Sequence, residues 1–161
     1  MKRIIIICCI ALIISCKSKS PGNSTVKTPA KVEDKNISIV KPEEVDMVKK
    51  DRAYDIGSRL LKCCNTSRFK AFTSTEATDK VRHNATREKV SAICKKINQR
   101  NGSFINISLI EVTRNKKLKE YTFHYNIAYE KKLYKRDLYV TVNDFNQVSA
   151  ISTKEVPSKP L

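Results

Sequence analysis

Acidic side chains are scarce in this chain, histidines are scarcer, and no apolar run is long enough to cross a bilayer. Sixteen Asp and Glu stand against 32 Lys and Arg, a formal net charge of +16 over 161 residues. Such an imbalance favours contact with anionic surfaces, and the attraction weakens as salt screens it. The two histidines, His83 and His124, do not complete a metal site with the adjacent Cys63 and Cys64, because zinc takes three or four ligands at suitable spacing. No metal and no cofactor is expected. The longest apolar run, Ile4 to Ile14, has eleven residues, whereas a membrane-spanning helix needs about 20. That length excludes a spanning helix and fits the core of an export signal.

Lys2 and Arg3 give the run a positive leading end, and Leu12-Ile13-Ile14-Ser15-Cys16 closes it. This closing segment resembles the bacterial lipobox: branched aliphatic residues, a small residue, then an obligatory cysteine. The resemblance implies a cut between Ser15 and Cys16, with diacylglycerol and its palmitate-type chains joined to the Cys16 thiol. A plain secretory cut after Ser15 would want a small residue where Ile13 stands. One acyl chain holds a protein marginally and two or more hold it durably. Cys16 therefore implies a lasting tie to membrane lipid in a bacterial cell envelope. Lys-Ser-Lys-Ser follows it without an acidic stretch, which favours the periplasmic face over the cell surface.

Four segments follow from this reading: a signal over 1–15, a lipidated cysteine and flexible tether over 16–41, a globular domain over 42–155 and a tail over 156–161. The tether is rich in Ser, Thr and Lys, is broken by Pro21 and Pro29, and shows no periodicity before a weak apolar run at Ile37–Val40. As a flexible coil it would hold the domain roughly 25–30 Å from its anchor. Loss of the signal removes two positive charges and leaves a strongly basic mature chain. Anionic lipid head groups or an envelope protein are the partners expected at that address, and nucleic acid is not. Nucleic-acid binding would also want exposed aromatics among the basic residues or a known motif.

Three cysteines follow Cys16, so at least one thiol stays unpaired if two of them bridge. A bridge from Cys94 to Cys64, or to its neighbour Cys63, needs the helices carrying them to pack side by side. Burial as free thiols is the alternative, because cysteine behaves as a small hydrophobe.

The domain opens with a helix predicted from Pro42, with Glu43, Glu44 and Asp46 in its first turn. Its apolar face is Val45, Val48, Ala53, Ile56, Gly57, Leu60 and Cys64, and Asn65-Thr66-Ser67 ends it. Thr73-Ser74-Thr75-Glu76 has the form of a capping box and predicts a short helix running to about Arg82. Thr86 caps a third helix whose stripe is Val90, Ile93, Cys94 and Ile97, with Asn101-Gly102 as its stop. Beyond Gly102 the period changes from 3.6 to 2. Phe104–Val112 alternates and then slips phase near Ile110, which predicts a β-bulge. Tyr121, Phe123, Tyr125, Ile127 and Tyr129 form one face of a second strand, a third carries Leu138, Val140 and Val142, and a fourth carries Val148 and Ile151. The expectation is α+β: N-terminal helices on a four-stranded antiparallel sheet.

Residues 43–153 resemble the nuclear transport factor two-like, or cystatin-like, superfamily. The likeness lies in the long first helix, Arg68-Phe69-Lys70-Ala71-Phe72, the helix ending Asn101-Gly102-Ser103-Phe104, the aromatic strand Tyr121–Tyr129 and the closing segments Val140–Asn143 and Gln147–Ile151. It implies a curved sheet cupping the helices as a cone. Fold alone does not give function. Enzymatic members place a carboxylate, or a histidine paired with one, inside the cone, with tyrosines as donors. Here Tyr121, Phe123, Tyr125 and Tyr129 would line the interior, while His124 and Asp137 fall on the opposite alternation. Those tyrosines either pack helices onto the sheet or line an apolar pocket. The implied function is ligand or partner binding without catalysis, the alternative being an isomerase- or hydrolase-like enzyme in the cone. Basic clusters at two successive turns, Arg114 to Lys119 and Lys131 to Arg136, lie at opposite ends of a meander and make no continuous groove. An outer face around His124 and Asn126 could pair two copies as a homodimer.

Overall fold

A computed structural model describes residues 36–156 apart from residue 133. Ser15, Cys16, most of the tether and the end of the tail lie outside the described residues. The chain order is β1 (Ile37–Val40), a 3₁₀ turn (Pro42–Glu44), α1 (Met47–Thr66), α2 (Asp79–Asn84), α3 (Arg87–Asn101), β2 (Phe104–Asn115), β3 (Glu120–Tyr129), β4 (Lys135–Val142) and β5 (Val148–Val156). The architecture is α+β, with an open antiparallel sheet in the order β1-β2-β3-β4-β5.

The sheet therefore has five strands, not four. The extra strand is the weak Ile37–Val40 run, which pairs antiparallel with the far end of β2, Val40 opposite Val112. Its side chains are half-buried at best, so it carries little of the apolar signal by which strands are read from sequence. The phase slip at Ile110 is a bulge, with the β2–β3 register stepping between Leu109 and Glu111. A second step, between Phe104 and Asn106, turns Ile105 to solvent.

The first helix also differs from expectation. Pro42–Glu44 forms a 3₁₀ turn, Val45 is extended, and Asp46 caps a new start by accepting a hydrogen bond from the Val48 N–H at 2.7 Å. A side-chain N-cap satisfies a helical N–H that would otherwise lack a partner. The break drops Val45 into the core and rotates α1, so that Lys49 is buried and Val48 is exposed. Lys49 Nζ donates to the Asn143 and Asp144 carbonyls at 3.0 and 3.3 Å and to Asn146 Oδ1 at 2.7 Å, in the turn between β4 and β5.

The core lies between the helices and one face of the sheet, with Ala53, Ile56, Phe123, Leu138, Val140, Val142 and Val148 fully buried. Gly57 lets α1 lie close against the sheet: a Cβ there would stand 2.8 Å from Leu138 Cδ2. At the other end of α1, Asn65 exchanges two hydrogen bonds with the Phe104 main chain, at 2.8 and 2.9 Å, as a neighbouring strand would.

Candidate functional site

Where α1, α2, α3 and β5 converge, the core is incomplete. A pocket of about 340 Å³ opens there, a size within the usual range for small-molecule sites. Leu60, Leu61 and Cys64 of α1 meet Val90, Ile93, Cys94 and Ile97 of α3. Val81 of α2 and the following Ala85 close one side, and Ser149 to Thr153 of β5 close the other. Five successive strand residues alternate between the sheet's faces, so what they share is the strand's edge. β5 is the last strand of the sheet, and on that edge its partner among the described residues is a single parallel bridge, Ala77 to Val148.

The bridge explains why α2 starts later than the capping-box signature predicts. Glu76 Oε2 does accept from the Thr73 N–H at 2.8 Å. Val148 N–H then donates to the Glu76 carbonyl and Thr78 N–H to the Val148 carbonyl, at 2.9 and 3.0 Å. These bonds hold residues 76–78 against β5 and defer the helix to Asp79. The Arg59 guanidinium, 2.8 Å from Glu76, ties the same segment to α1. It holds the Glu76 carboxyl at about 2, with Thr73 hydrogen bonds acting in the same direction and burial opposing.

Cysteine chemistry sits in the pocket wall. Cys64 and Cys94 form a disulfide that joins α1 to α3, and the Asn98 amide donates to the Cys64 carbonyl at 2.8 Å beside it. Cys63 is a buried free thiol, 2.9 Å from the Leu60 carbonyl, and burial raises its pKa. The three sulfur atoms lie within 4.8 Å of one another. Two of them are bonded to each other in this state, so the trio does not offer three thiolates to a metal.

The aromatic residues singled out on β3 lie elsewhere. Phe123, Tyr125 and Tyr129 are buried and Tyr121 is half-buried, all on the helix-facing side, and none of them lines the pocket. Tyr125 stacks on Phe123 and meets Tyr54 edge-on. Burial raises the Tyr125 pKa strongly, with Tyr54 adding to it, and raises that of Tyr129 to about 12 against the opposing charge of Arg136. The Tyr129 hydroxyl has no hydrogen-bond partner among the described residues.

On the opposite face of the sheet, His124 stands between two carboxylates. Its Nε2 is 2.8 Å from Asp137 Oδ2 and its Nδ1 is 3.3 Å from Glu111 Oε1. Asn126 donates to the other Asp137 oxygen at 3.3 Å, Tyr139 stacks on the imidazole, and the Lys154 ammonium lies over the Tyr139 ring. Burial, then the charges of Asp137 and Glu111, raise the Tyr139 pKa. Each ring nitrogen of His124 thus faces a carboxylate. Sequence alternation places His124 and Asp137 on one face but does not reveal their pairing, which comes from the β3–β4 register.

The pocket itself is assembled from three separate stretches of the chain, within residues 60–64, 80–97 and 149–153, which hides it from a reading of single segments. Its one local signal is Ile93. This residue belongs to the apolar stripe of α3 yet is 56% exposed, because the stripe is wider than the surface it packs on. Comparison with protein-family models, curated proteins and solved structures finds no match to this chain.

Proposed function

We propose that this protein is a bacterial envelope lipoprotein, anchored through acylated Cys16, whose domain holds an apolar ligand in the α1–α2–α3–β5 pocket without transforming it. The observation that carries the reading is the open, largely apolar pocket of about 340 Å³ beside the core. No histidine or carboxylate is among its lining residues, which favours binding over acid–base chemistry. His124 and Asp137, the pair an enzymatic reading would look to, lie on the other face of the sheet with each imidazole nitrogen facing a carboxylate. The finer fold proposed with this function is the cystatin-like cone, supported by helices against one face of an antiparallel sheet bent at its bulges. No described helix is long and apolar enough to cross a membrane, which is compatible with a lipid anchor.

Two measurements test the reading. Mass spectrometry of the mature protein should find its N-terminus at an acylated Cys16, and an unmodified terminus at another residue overturns the anchor. A neutral, tail-photoreactive alkyl alcohol should label α3 and β5, and Ala85→Phe, which fills the pocket, should abolish that labelling. Labelling that survives Ala85→Phe unchanged removes the pocket from the proposal.

A further inference from the structure

The rim of the pocket points to a class of ligand, an inference that rests on the binding reading above. Lys80 and Asn84 stand one helical turn apart on α2, and both reach the pocket. Neither side chain has a hydrogen bond or ion pair with another described residue. Arg82, between them in sequence, is already paired with Asp79. Opposite this polar rim, Leu61, Val90 and Ile97 are buried, and Ile93 is exposed at the mouth. The site is therefore apolar at one end and presents an uncompensated cation and a free amide at the other. Its walls are fixed in advance: the Cys64–Cys94 bond stops α1 and α3 from separating, and the Val148 bonds to residues 76 and 78 anchor the segment leading into α2. Preformed walls lower the ordering cost of binding.

We propose that the pocket takes a single-chain amphiphile, its hydrocarbon chain along Ile93, Val90 and Leu61 and its carboxylate or phosphate head beside Lys80 and Asn84. Burial of the chain supplies the affinity. Lys80 supplies the choice of head, because a cation without a protein partner favours an anion while leaving an alcohol indifferent. An exposed ion pair of this kind changes affinity only a few-fold, and less as salt rises.

The test uses the full-length acylated protein in nanodiscs of one zwitterionic phospholipid. Tail-diazirine forms of dodecanoate, dodecyl phosphate and dodecanol are added at equal concentration, irradiated, and their adducts mapped by peptide mass spectrometry. One or both anions should label residues 90–97 and 149–153 about two- to fivefold more than the alcohol does. Lys80→Glu should remove that excess and leave the alcohol yield unchanged, and Ile93→Lys should suppress all three. Both positions are exposed, so neither change threatens the fold. The stronger of the two anionic labels identifies the head as carboxylate or phosphate. Equal labelling by all three probes overturns the head-group assignment and leaves the pocket reading standing. Absence of labelling at these residues with every probe overturns both.

Discussion

The two faces of the sheet are made on different principles. On the helix side, Phe123, Leu138, Val140 and Val142 are wholly buried, and what matters is volume. On the open side, neighbouring strands are joined by polar pairs: Thr122 with Thr141 at 2.9 Å, His124 with Asp137, and Asn126 with the same carboxylate. Volume packing tolerates no gap, whereas pairwise polar bonding needs no cover. The difference locates the pocket. It lies where the first principle runs out, at the edge of β5, where apolar side chains of α1, α2 and α3 meet without filling the space between them.

The sharpest way to break that comparison is a pair of changes at adjacent residues of β3. Phe123→Ala should cost about 3–5 kcal/mol in denaturant unfolding, the usual loss for a buried aromatic. Thr122→Ala, one residue away on the open face, should cost about 1 kcal/mol or less. Similar costs for the two would show that the faces do not differ as described. Next in size is the pocket wall. Cys94→Ser removes the cross-link across a separation of 30 residues and should lower stability by about 3 kcal/mol. Cys64→Ser should cost less, because Cys63 lies close enough to bridge Cys94 instead. Thiol titration should then find no free thiol among these cysteines in Cys64→Ser and two in Cys94→Ser.

A smaller effect is expected where α1 meets the last turn. Lys49→Ala strips three oxygen acceptors of their cation and should cost about 2 kcal/mol, with the loss read as a lower midpoint in urea. The smallest concerns Glu76. Its carboxyl titrates at about 2 in the folded protein, below its ordinary value of 4.5. The stability it contributes is therefore complete above about pH 4.5 and is lost as the pH falls toward 2. Glu76→Gln should cost about 1 kcal/mol near neutrality and flatten the stability profile across that acid range. An unchanged acid profile would sink the assigned role of the Arg59–Glu76 pair.

Much of the fold was legible because its signals are local. The alternation from Tyr121 to Tyr129, the stop at Gly102 (φ 74°) and the slip at Ile110 each report the backbone over a few residues. The features that escaped depend on partners distant in sequence. β1 exists because Val112 to Asn115 offer it an edge, and α2 is delayed because Val148 captures residues 76–78. Lys49 is buried because a turn almost a hundred residues later supplies its oxygens. The pocket escaped for the same reason, since no single segment shows that Ile93 faces a gap.

The Lys49 contact has a kinetic side. Its three acceptors lie 94 to 97 residues downstream, in the last turn of the domain. A loop of that length closes only after the intervening chain is present, and such long-range contacts form slowly. The first helix thus stays without its final anchor until the last hairpin emerges. In the exported lipoprotein proposed above, this contact would be among the last to form, since both ends of the domain must be present on the same side of the membrane.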